Sequence, residues 1–176
     1  MSTKITYALI LTVVGAVLRL LLYFTGFETE KVATGQYLNW LMIPVVVAIY
    51  WFGLKAVRDE KPHQAMSYGQ GVGAGVVIAL FSAIFSAIYN FIHVKFINPN
   101  FADYQIEMAR EKWAQAGLAS AQMEQAETVT RMFLSPGMQA VMTLVLGVLF
   151  GLIVSLIVAA FVKRPLPAGV EAPPPM

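Results

Sequence analysis

Four long apolar runs alternate with polar stretches along the chain: Ile5–Gly26, Tyr37–Leu54, Gly71–Ile92 and Gly137–Val162. The last three hold no Asp, Glu, Lys, Arg or His, and the first holds only Arg19. Their lengths are 22, 18, 22 and 26 residues, together half of the 176-residue chain. A helix rises about 1.5 Å per residue and the hydrocarbon layer is about 30 Å thick, so roughly 20 residues make one crossing. The pattern predicts an all-α, polytopic membrane protein with four transmembrane helices. A soluble core would show shorter amphipathic helices instead of unbroken apolar runs.

The third run places Gly71, Gly75, Ala79, Ala83 and Ala87 at every fourth position, with Ser82, Ser86 and Asn90 alongside. The fourth repeats the device with Gly147, Gly151, Ser155 and Ala159. Residues four apart share a helix face, and small ones there let two backbones approach closely. The stripes fit two arrangements: the two helices packed on each other, or a homodimer through one stripe. Gly69, Gly71, Gly73 and Gly75 do not match G-x-G-x-x-G and follow no strand, so they open a membrane helix and not a phosphate loop.

Between the third and fourth runs lies a polar segment that is patterned like helix. Asn98 suits an N-cap and Pro99 a first helical position. Phe101, Tyr104, Met108 and Trp113 then fall near one face of a helix that Gly117 ends. Ser120 suits the cap of a second helix carrying Met123, Val129, Met132 and Phe133, stopped by Ser135-Pro136-Gly137. The segment is expected to form an external helical hairpin over about residues 99–134. Its apolar stripes fit packing on the bundle, on lipid or on a partner protein. Asp103, Glu107 and Glu111 share a face, which reads as a solvated charged surface. Residues 1–164 form a single membrane domain in this reading. The tail over 165–176 has five prolines and is expected to be disordered.

Charge orients the spans. Lys4, Lys55, Arg58, Lys61, Lys163 and Arg164 fall on one side, while seven of the ten acidic residues fall on the other. Lysine and arginine in short loops favour the cytoplasm, so both termini are expected there and the hairpin outside. Tyr23, Phe24, Tyr37 and Trp40 suit the outer headgroup layer, and Tyr7, Tyr50, Trp51 and Phe52 the inner one. The first run is read as a retained helix and not a cleaved leader, because it is long, holds Arg19 and lacks a small-x-small site after it.

Composition adds mainly exclusions. The chain is 58% hydrophobic and 12% charged, with a mean hydropathy of +0.67. A net charge of +2 gives no footprint for nucleic acid. With no cysteine there is neither a disulfide nor thiol chemistry. His63 and His93 fall on opposite sides of the membrane, so they cannot share a metal. No nucleophile–base pair or carboxylate pair sits in a span, and no cofactor motif is visible.

Arg19 is the one charge inside a span, at a cost of roughly 2.5–3.5 kcal/mol at mid-bilayer. It lies about seven residues, roughly 10 Å, from the outer end of its helix. Three roles are open: snorkelling outward with Glu28 or Glu30 as partner, a buried contact with Asn90 or a backbone carbonyl, or binding an anionic headgroup or substrate.

Several short motifs recur in a familiar order. Phe52-Gly53-Leu54-Lys55-Ala56-Val57-Arg58-Asp59 leads into Met66-Ser67-Tyr68-Gly69-Gln70-Gly71. Ile88-Tyr89-Asn90-Phe91-Ile92 leads into Phe96-Ile97-Asn98-Pro99-Asn100-Phe101. Gly151-Leu152-Ile153-Val154-Ser155-Leu156-Ile157 is followed by Lys163-Arg164. Over nearly the whole chain to Arg164 this resembles the bacterial membrane proteins grouped as domain of unknown function 4199. The resemblance implies four membrane helices and a bacterial inner membrane, and no catalytic residues. Two functions are expected from the sequence, neither enzymatic. One is an accessory or scaffold subunit that presents the hairpin to a membrane-protein partner, with homo-oligomers also open. The other is a carrier or binder of a lipid or apolar ligand, with Arg19 and Asn90 as its polar contacts.

Overall fold

The computed structural model describes residues 2–167 and 169. Most of the proline-rich tail lies outside them. The described residues form seven α-helices: α1 Thr3–Phe24, α2 Val32–Leu38, α3 Met42–Asp59, α4 Tyr68–Ile92, α5 Phe101–Gln115, α6 Ser120–Leu134 and α7 Pro136–Val162. Among the described residues, four stretches are long and apolar enough to cross a membrane: Thr3–Phe24, Val32–Asp59, Tyr68–Ile97 and Pro136–Val162. The second is α2 and α3 joined by a 3-10 turn at Asn39–Leu41, so this crossing starts before the apolar run does. Pro44 sits in the first turn of α3, where no intrahelical N–H is forfeited.

Contacts at the ends show that the chain returns to where it began. Met66 and Arg164 exchange two backbone hydrogen bonds of 2.9 Å. The Arg58 guanidinium donates to the Val162 carbonyl at 3.3 Å, and the Thr3 hydroxyl donates to Glu60. The start of α1, the α3–α4 connection and the end of α7 therefore share one end of the bundle. The α1–α2 connection and the α5–α6 hairpin share the other.

The central pair is α4 and α7, which run antiparallel. A Cβ added at Gly71 would lie 3.0 Å from the Ala159 Cβ, and one at Gly75 would lie 2.6 Å from the Ser155 Cβ. One at Gly151 would lie 2.5 Å from both the Ala79 Cβ and the Tyr50 hydroxyl, and one at Gly147 3.2 Å from the Ala83 Cβ. Ser82 and Ser155 return their hydroxyls to the Ala79 and Gly151 carbonyls of their own helices, so neither polar group is stranded in the interface. Against this pair, at Ile78 of α4, pack Ala8 of α1 and Tyr50, Leu54 and Val57 of α3.

Three local expectations need correcting. Asn98 and Pro99 do not start α5, which begins at Phe101 after Asn100. Asn98 instead closes a single π-helical turn, His93–Ile97, that continues α4. The cap of α6 is Ala119, not Ser120, and Gln122 folds back to accept from the Ala119 N–H at 3.0 Å. Tyr50 is fully buried and packs in the core, so it is no headgroup anchor; its hydroxyl reaches the space left open by Gly151.

The α5–α6 hairpin turns at Gly117, whose φ of +76° is a left-handed conformation that suits glycine. Ion pairs link its helices, Arg110 with Glu127 and Arg131 with Asp103 at 2.8 Å, and Arg131 also pairs with Glu127 of its own helix at 3.0 Å. The Arg110 and Arg131 hydrogen bonds hold the Glu127 carboxyl below its usual range. Ile106 of α5 is buried, whereas no residue of α6 is.

Candidate functional site

Arg19 reaches the site from α1. Its Nε donates to Glu28 Oε1 at 2.7 Å, and its Nη1 donates to Asn90 Oδ1. The guanidinium carbon lies 5.4 Å from the centre of the Phe101 ring, within cation–π range. Of the open roles, both the Glu28 partnership and the Asn90 contact are present together.

Asn90 also joins two helices. Its Nδ2 donates to the Thr143 hydroxyl at 2.6 Å and to the Gln139 carbonyl at 3.0 Å, both on α7. Every donor and acceptor of this buried amide is thus used, as a low-dielectric site requires.

The second oxygen of Glu28 lies 2.7 Å from His93 Nε2. An ionised carboxylate only accepts, so His93 donates through Nε2. His93 is completely buried. Its Nδ1 faces the Tyr89 hydroxyl at 3.1 Å, and that hydroxyl donates to the Ala16 carbonyl at 3.1 Å. The π turn places His93 where it meets Glu28, and the residue that caps it adds to the site: Asn98 Nδ2 donates to the Glu28 carbonyl at 3.4 Å. Such turns are rare and recur at functional sites.

Glu28 arrives on the α1–α2 connection, which folds back over α1. The Phe27 and Glu28 N–H groups both bond the Leu22 carbonyl, at 2.8 and 3.2 Å. Gly35 of α2 packs on this connection so closely that any Cβ would overlap the Phe27 carbonyl. That contact requires glycine.

Burial alone would push the Glu28 carboxyl up. The hydrogen bond to His93 and the positive charge of Arg19 outweigh it and hold the group below its ordinary value of 4.5. The sign follows from linkage: the fold favours the ionised form, so this contribution is complete above the ordinary carboxylate range and is lost as pH falls through the lower, folded value. We expect Glu28→Gln to flatten the loss of stability below about pH 4.5. Thermal midpoints of both proteins between neutral and acidic pH would check this; parallel curves would refute it.

Beside the network is a cavity of about 520 Å³. Gly15, Leu18, Met42 and Leu134 line its apolar wall, and Asn39, Gln105 and Gln139 bring amides. Arg19, Glu28 and Asn90 form one side of it. Its volume is in the range of small-ligand pockets.

The remaining singled-out residues lie elsewhere. Gly71, Gly75, Ala79, Ala83, Gly147, Gly151, Ser155 and Ala159 line the α4–α7 contact below the network. His63 sits in an exposed turn with a φ of +56°, at the opposite end of the bundle from His93. Sequence reasoning missed His93, Tyr89, Thr143 and Phe101 as members. One signal was available: Tyr89 and His93 are one helical turn apart, beside Asn90. Nothing in the sequence pointed across to Thr143.

A family model described as "Protein of unknown function (DUF4199)" matches residues 6–164. No curated protein and no solved structure matches the chain.

Proposed function

This chain belongs to the DUF4199 family, and from that premise we propose that it is a non-enzymatic membrane protein that binds an amphipathic molecule beside Arg19 and Asn90. One observation carries the reading: a cavity of about 520 Å³ brings apolar side chains and a fully partnered polar network together at one end of the bundle. An amphiphile divides in the same way. Each polar atom of Asn90 and both oxygens of Glu28 are held, which supports a structural role for the network beside the ligand.

The small-residue faces of α4 and α7 serve in this proposal as the packing surface that holds the bundle closed below the cavity. The membrane is a bacterial inner membrane with both termini cytoplasmic. Six of the twelve Lys and Arg residues flank the end that carries the termini, which supports that orientation. The hairpin and the cavity then face outward.

Gly15 supplies the test. It lines the cavity, and the nearest atom to an added Cβ there is the Met42 Cε at 3.9 Å, so a larger residue fills space without clash. The protein would be purified in native lipid discs, and what travels with it identified by mass spectrometry. We expect wild type to retain a defined amphiphile and Gly15→Leu to lose it at an unchanged thermal midpoint. Equal retention by both proteins would refute the cavity as the site.

A second reading rests on α6. No residue of this helix is buried, and Val129, Met132 and Phe133 stand 47%, 55% and 44% exposed. An accessory subunit offering this face to a membrane-protein partner would bring a stoichiometric protein, not an amphiphile, through the same purification.

A further inference from the structure

Resting on the amphiphile-binding reading, we propose that the head group accepted by the cavity is uncharged and bears hydroxyls, as glycerol and sugar heads do. The charge balance of the lining is the first reason. Arg19 and Glu28 are its only charged residues, and they pair at 2.7 Å. An anionic head drawn to Arg19 would therefore meet the Glu28 carboxylate in the same cavity. A cationic head finds no free carboxylate, since Arg19 and His93 occupy the two oxygens of Glu28. Either charge would enter a partly dry site without a counter-ion, which is costly.

The hydrogen-bonding character of the remaining lining is the second reason. Asn39, in the 3-10 turn of the second crossing, and Gln105, on α5, both line the cavity. Among the described residues neither amide is tied to another side chain or to the backbone. Gln36 spends its Nε2 on the Ala33 carbonyl at 2.8 Å and keeps its oxygen. A carboxamide presents an acceptor oxygen and a donor nitrogen together. A hydroxyl does the same, so hydroxyl and amide satisfy each other in either direction. A carboxylate or an ionised phosphate accepts, so it uses the amide N–H groups and offers the Asn39, Gln105 and Gln36 oxygens no donor.

The apolar part of the ligand has its own place. Leu18 and Leu22 of α1 and Met42 of α3 give the cavity an apolar lining. Phe24, Tyr37 and Trp40 are 76%, 67% and 68% exposed around the same end, where amphipathic rings mark headgroup depth. A head among the amides thus leaves its chains running along α1 into the bilayer.

The test compares two short-chain lipids that differ only in the head: dioctanoylglycerol and dioctanoyl phosphatidate, titrated into the protein in phosphatidylcholine discs with the thermal midpoint as readout. We expect dioctanoylglycerol to raise the midpoint saturably, half-saturating at a concentration at least tenfold below that of the phosphatidate. Asn39→Leu and Gln105→Leu, on separate elements, should each raise that concentration about tenfold while leaving the ligand-free midpoint unchanged. Tighter binding of the phosphatidate, lost in Gly15→Leu, overturns the uncharged-head proposal and leaves the amphiphile site standing. Dioctanoylglycerol binding that both amide variants retain also overturns it. No shift with either lipid, or shifts that persist in Gly15→Leu, overturns the amphiphile reading and this proposal together.

Discussion

Truncating Glu28 to alanine is expected to destabilise the protein by roughly 3 kcal/mol, the lower end of what breaking a buried ion pair costs. The lower end applies because the Arg19 and Glu28 side chains keep 21% and 13% of their exposure. Three groups lose a partner at once. Arg19 is left with Asn90 and the Phe101 ring, His93 loses its acceptor at 2.7 Å, and the α1–α2 connection keeps only the Asn98 bond to its backbone. The penalty is mostly that of stranded polar groups. Pairing Glu28→Ala with Arg19→Leu should therefore be less damaging than Glu28→Ala alone, because the unpaired charge goes with its partner. Thermal or denaturant unfolding of the single and double variants would measure this. If Glu28→Ala matched wild type, Arg19 would be meeting water on its own, and the network would not hold this end of the bundle together.

The sequence and the structure part company at predictable places. The four crossings were legible because an apolar run of bilayer length has few other solutions. The hairpin between the third and fourth was legible through its changed period and the break at Gly117. The caps were not: Gln122 bonds the Ala119 N–H, and an amide reaching back three residues competes with the hydroxyl of Ser120 for the role. Arg19 and Asn90 stood out because polar residues in a span are conspicuous. Their meeting depended on helix rotation and register, which apolar periodicity leaves loose when every face is hydrophobic. His93 escaped notice because it followed the apolar run and read as part of a loop. A π turn, which carries no sequence signal here, carried it into the bundle instead. Tyr50 was misplaced for the same reason as the network: headgroup rings and core rings look alike until the neighbour, here Gly151, is known.

The α4–α7 contact sets the other large expectation. Gly151→Ile should leave little folded protein, at a cost of roughly 3 kcal/mol or more, at or beyond the upper end of ordinary overpacking. An added Cβ at Gly151 meets the Ala79 Cβ and the Tyr50 hydroxyl at 2.5 Å, and lies 3.2 Å from the Ala79 Cα, so backbone as well as side chains must yield. Gly75→Ile should behave alike, since its Cβ would press on Ser155. Gly73→Ile is the control: nothing lies within 4 Å of its Cβ position, and it sits on the same helix two residues away. Monodispersity in detergent and resistance to proteolysis would separate the three. The comparison also decides between the two uses of a small-residue stripe. If Gly151→Ile kept its fold and lost only a dimer, the stripe would face a second copy. Collapse of the monomer, with Gly73→Ile untouched, means that α4 and α7 bury these glycines against each other. Because Asn90 bonds Gln139 and Thr143 across the same pair, spreading the helices should also break the network and the cavity wall above it.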